Sequence, residues 1–106
     1  MTYLLNAIPG AIIPPEGGMI TLTPVRPADV PADVVSAIGH ADTARLVSGL
    51  LGRTIPENRI SVPELRDGDR HYVALYRGPR LPEGCTTLPS GAILSFFRLE
   101  YHKPGA

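Results

Sequence analysis

Apolar positions fall along the 106-residue chain in short runs set apart by proline and glycine, and their period changes from run to run. Residues 2–8, Thr-Tyr-Leu-Leu-Asn-Ala-Ile, form a short apolar run closed by Pro9-Gly10 and predict a first strand. A Pro-Pro-Glu-Gly-Gly loop over 14–18 separates it from 19–25, whose alternation predicts a second strand, so that 2–25 reads as an open hairpin. Residues 28–38 predict a short helix starting near Pro31, with Asp29 and Asp33 at its positive end. A second helix is predicted over 41–51, with Leu46, Val47, Leu50 and Leu51 as its buried stripe and Gly52 as its C-cap. Residues 59–65 predict a strand that Pro63 places at an edge or an end. Residues 71–77 predict the most central strand and 92–102 the last, and the segment between them holds a third helix or only a turn. The sum is an α+β fold: one domain over 1–106, with a mixed five-stranded sheet flanked by two or three helices.

Composition narrows the function classes. Hydrophobic residues at 43% and charged residues at 19% describe a globular chain rather than a disordered one. A chain this short buries a modest core, so self-association would help it. The formal net charge is zero, and no field draws the chain to duplex nucleic acid or to a membrane. Nine of the ten cations are arginine, which is either a genomic bias or a preference for the planar fork that grips phosphate. Cys85 is alone, which excludes an intramolecular disulfide and cysteine-paired zinc. His40, His71 and His102 show no metal-ligand spacing, and neither metal nor cofactor is expected. The apolar start lacks a basic region and is broken by Asn6, Pro9 and Gly10, so a cytoplasmic protein is expected.

Candidate chemistry begins at Gly39-His40, directly before the 41–51 helix. The first amides of a helix lack intrahelical partners and carry partial positive charge, which makes an anion site. A histidine there either caps the helix or gives a proton to a leaving oxygen beside a bound phosphate. Arg59, Arg80 and Glu83 leave similar alternatives open. Arg80 and Glu83 either pair at the surface or face a phosphate and a ribose hydroxyl.

Taken in order, several short motifs resemble a known family. They are Asn6-Ala7 at the end of the first strand, the run from Ser36 through Ile38-Gly39-His40 to Thr43, Leu50-Leu51-Gly52, Asn58-Arg59, and Arg80-Leu81-Pro82-Glu83-Gly84. This ordered set, across about residues 3–84, resembles the small viral anti-CRISPR ring nucleases of type III immunity and their host-encoded relatives. The resemblance implies a symmetric homodimer that holds cyclic tetra-adenylate, or a related cyclic oligonucleotide, across its two-fold axis. It implies cleavage without metal, in which a ribose 2′-hydroxyl attacks the adjacent phosphorus. The linear oligoadenylates formed end in a 2′,3′-cyclic phosphate, and the signal that activates type III effector nucleases is erased.

Carried over by position, the resemblance makes His40 the general acid and makes Arg59 and Arg80 the phosphate-holding arginines. Glu83 becomes the functional glutamate, orienting either the 2′-hydroxyl or the histidine. Asn6, Gly39 and Thr43 fall at ligand-lining positions. The chain departs from the pattern where the family has a serine after Asn-Ala; here Ile8-Pro9-Gly10 follows, so contact would come from Pro9 and Gly10. Asp42 replaces a second serine, and an acid there either weakens anion binding or points outward. Intact His40 and Glu83 favour an enzyme, whereas the two departures favour a non-catalytic sensor or sponge of the same fold.

Overall fold

The structure, a computed structural model, describes residues 1–85 and 87–105. Five strands form one mixed sheet: β1 (Tyr3–Leu5), β2 (Met19–Val25), β3 (Val35–Ala37), β4 (Arg70–Arg77) and β5 (Ile93–His102). Their order is β2-β5-β4-β1-β3, which makes β4 the central strand, as its apolar run predicts. β1 runs parallel to both neighbours, pairing Leu5 with Ala37 of β3 and with Val73 of β4. β5 is antiparallel to β4 and β2.

The helix α1 (Ala41–Leu51) ends at Gly52, whose φ of 71° is a left-handed conformation suited to glycine. Its buried face is Thr43, Ala44, Leu46 and Val47. The expected stripe is thus rotated towards the N-terminus, and Leu50 stays 43% exposed. Leu4, Tyr72, Ala74 and Phe96 pack with Ala44 and Val47 of α1 on one face of the sheet. Leu5, Val73, Leu99 and Tyr101 pack with Ile12 and Leu65 on the other. The switch of face between Leu4 and Leu5 follows from the two-residue strand period.

Three expected elements are corrected. The open hairpin over 2–25 does not form, because β2 pairs with β5 at the far edge while β1 sits between β3 and β4. The intervening residues instead turn through a 3₁₀ segment, Gly10–Ile12, among Pro9, Pro14 and Pro15. The helix expected over 28–38 is replaced by the 3₁₀ turn Pro27–Asp29 and by β3. Pro31 interrupts the run, and the valines at 34 and 35 suit a strand better than a helix. Residues 59–65 form no strand. Pro56 and Pro63 lack the amides a ladder needs, and this segment is held at separated points, Asn58 N–H to Ile38 O (2.8 Å) and Leu65 N–H to Ile12 O (2.9 Å). One α-helix is therefore described where two or three were expected. The segment expected to hold a third helix makes turns closed by Cys85 N–H to Pro82 O and Ala92 N–H to Pro89 O, while Thr86 within it and Ala106 at the chain end lie outside the described residues.

Candidate functional site

β1, β3 and β4 run parallel, so their carboxyl ends open on one side of the sheet, where ligands of α/β sheets commonly bind. Asn6 leaves β1 at this mouth, Gly39 and His40 follow β3, and Arg80 and Glu83 follow β4. Two clefts open there. One, of about 640 Å³, is lined by Asn6, Pro9, Gly39, His40 and Arg59 among others. The second, of about 690 Å³, is lined by His40, Asp42, Thr43, Tyr76, Arg80 and Glu83 among others. His40 belongs to both walls.

His40 is the N-cap residue of α1 by its backbone, with φ −127° and ψ 126°, and its side chain makes no capping hydrogen bond. Its carbonyl accepts the Ala44 amide at 3.0 Å. His40 thus caps the helix through its backbone alone, and its imidazole is exposed.

The segment carrying Arg59 is stitched to the outer edge of β3. Asn58 Nδ2 donates to Ser36 O (2.8 Å), Ser36 Oγ donates to Pro56 O (2.6 Å), and Arg59 Nε donates to Gly39 O (2.9 Å). Glu57 lies 3.7 Å from the same Nε. These bonds cover an edge strand that would otherwise present unpaired groups. Gly39 has no positive φ, and a Cβ there would only touch Arg59 Cγ at 3.5 Å. A glycine at this position opens the cleft floor and serves no turn.

Arg80 and Glu83 are both exposed and do not pair with one another. The ion pairs among the described residues are Arg26–Asp29, Arg45–Asp42, Arg59–Glu57, Arg70–Glu100 and Arg98–Glu100. The loop bearing Arg80 leaves β4 through Gly78, whose φ is 154° and where a Cβ would meet Ala92 Cβ at 2.7 Å. Tyr76 OH donates to Pro79 O at the same corner. Asp42 Oδ1 accepts Arg45 Nη1 at 2.8 Å and the Gly84 amide at 3.2 Å.

The predicted residues thus divide. Asn6, Pro9, Gly39 and Arg59 line the first cleft, Thr43, Arg80 and Glu83 line the second, and His40 joins them. Gly10 lines neither and opens the 3₁₀ turn beside Pro9. Ile60, Ser61 and Val62 also line the first cleft, in a segment whose pattern predicts a strand rather than a cleft wall. Among the described residues, no three His, Cys, Asp or Glu side chains converge as metal ligands, and no helix is long and apolar enough to cross a membrane.

A family model described as STIV B116-like matches residues 2–95. Among solved structures, B116 of Sulfolobus turreted icosahedral virus is similar to this chain, with a TM-score of 0.72 and 23% identity over 92% of this chain and 97% of that one. At that identity the likeness is one of fold. Comparison with curated proteins gave no match.

Proposed function

The chain belongs to the STIV B116-like family, and from that premise we propose that it is a metal-independent ring nuclease that cleaves cyclic oligoadenylate, cyclic tetra-adenylate above all. The observation that carries this reading is the position of His40 on the wall shared by two clefts, one holding Arg59 and the other Arg80. Each cleft has the volume of a small-ligand pocket. A phosphate at the divide would lie beside the amides of α1 with an arginine on either side.

The reaction follows from those groups. A ribose 2′-oxygen bonds to the adjacent phosphorus as its proton passes to solvent water, and the bond from phosphorus to the 5′-oxygen breaks. His40 gives its proton to that departing oxygen, a contribution commonly worth about 10²–10⁴-fold. Arg59 and Arg80 stabilise the charge developing on the phosphoryl oxygens. Glu83 orients the 2′-hydroxyl or the imidazole. The products are a 2′,3′-cyclic phosphate end and a free 5′-hydroxyl, and type III signalling is switched off. A two-fold symmetric ring is best held by two copies of one half-site, so the working form is a homodimer.

A second reading, a binding module without catalysis, draws on the exposure of His40, Arg59, Arg80 and Glu83, none of which is rigidly enclosed. Incubation with cyclic tetra-adenylate and a chelator separates the two. Linear products with cyclic phosphate ends mean the enzyme, and an intact but retained ring means the binder. A ring neither cut nor retained overturns both. Light scattering should give twice the chain mass of 11.3 kDa.

A further inference from the structure

Asp42 has no part in the reaction above, yet it makes the hydrogen bond that joins the helix mouth to the tip of the β4–β5 loop. Residues 82–85 form a turn closed by Cys85 N–H to Pro82 O at 3.1 Å, with Glu83 and Gly84 as its two corner residues. Gly84 has a φ of 75°, the conformation a glycine supplies at the second corner of such a turn. Its amide is not used by the turn and donates instead to Asp42 Oδ1 at 3.2 Å. The same oxygen accepts Arg45 Nη1 at 2.8 Å, so the carboxylate is steadied from its own helix while it holds the loop.

At its base the loop is fixed by Gly78 against Ala92 and by the Tyr76 hydroxyl. At its tip, Glu83 immediately precedes the latched amide, and Arg80 lies between the two fixed points.

We propose that Asp42 is a positioning residue: it latches the 82–85 turn to the first turn of α1 and so sets where Glu83 and Arg80 stand relative to His40. The inference rests on the ring-nuclease reading for its catalytic consequence and on geometry alone for the latch. A single hydrogen bond of this kind is worth about five- to tenfold in a rate that depends on it. Asp42→Ala should therefore lower kcat for cyclic tetra-adenylate by about that factor. Asp42→Asn keeps an acceptor oxygen in place and should restore most of the rate.

The test pairs single-turnover cleavage with amide hydrogen exchange at Gly84 in the ligand-free protein, for wild type, Asp42→Ala and Asp42→Asn. Thermal melts confirm that each variant is folded. The latch predicts slow Gly84 exchange in wild type and Asp42→Asn and fast exchange in Asp42→Ala, with cleavage falling in the last alone. Equal exchange in all three overturns the latch whatever the rates. Altered exchange with equal rates overturns the positioning role. If wild type leaves the ring uncut, the ring-nuclease reading and the positioning role both fail, and the exchange pattern still decides the latch.

Discussion

Arg59 Nε donates to the carbonyl of Gly39 across twenty residues of chain, at 2.9 Å. The bond uses Nε, so on the proposed function the Nη pair is left to grip a phosphate in the first cleft, which Arg59 lines. A lysine has no second nitrogen with which to do both. Arg59→Lys should therefore weaken ring binding and slow cleavage by about tenfold or more, despite the retained charge. Titration of cyclic tetra-adenylate with the variant checks this, and an affinity equal to wild type would remove Arg59 from the phosphate grip.

His40→Ala is expected to cut single-turnover cleavage by about 10²–10⁴-fold. The fold should not suffer, because the imidazole makes no capping bond. Binding of the ring should remain measurable, since the amides of α1 and both arginines are untouched. A melt, a binding isotherm and a cleavage time course on one preparation separate the acid role from a contact role.

His71 gives the fold a pH dependence of its own. Its ring is buried against Tyr3, with centroids 5.4 Å apart, and Nδ1 accepts the Tyr3 amide at 3.1 Å. Burial holds its pKa below the ordinary value of 6.5, while nearby Asp69 opposes that shift. The unfolded chain then takes up the proton more readily than the folded one. Stability present above pH 6.5 is lost as pH falls below it, and the loss grows until the folded imidazole also titrates. Thermal melts between pH 7 and 5 should show a steeper decline in wild type than in His71→Gln, whose carbonyl can still accept the Tyr3 amide. Parallel slopes would show that His71 does not carry the effect.

Arg53 tests whether an arginine near the helix can matter without touching the mouth. Its Nη2 donates to Pro31 O at 2.7 Å and to Val30 O at 3.3 Å, tying the end of α1 to the segment before β3. Arg53→Ala should cost about 1–2 kcal/mol of stability. Cleavage per folded molecule should stay within about twofold of wild type, since the ties lie outside both clefts. Chemical denaturation and a single-turnover assay measure the two quantities separately.

Elements with one strong local signal were legible from sequence. α1 had an apolar period and Gly52 to end it, and β4 and β5 were long enough for alternation to speak. Residues 28–38 and 59–65 carry no such signal, because prolines and β-branched residues suit several extended states, and tertiary bonds choose among them. Asn58 illustrates this, since its side chain answers to Ser36 of β3 and its amide to Ile38 just beyond that strand, some twenty residues earlier. His40 and Arg59 were visible as candidates because glycine, helix start and arginine are local cues. The division into two clefts was not visible, because it depends on the loop after β4 reaching the first turn of α1. Asp42 stood out only as a departure, and its partner Gly84 is distant in the chain.

The placement of β1 has a consequence for how the molecule is made. β1 pairs with residues 35–37 and 72–73, and β4 in turn needs β5 at residues 93–102. One edge of Tyr3–Leu5 can pair once residues 35–37 are present, but its other edge waits for residues 72–73. Such distant pairings slow folding, because loops must close before contacts reward them. A nascent chain halted before residue 93 would expose both apolar faces of an unfinished sheet and become a target for chaperones or proteases.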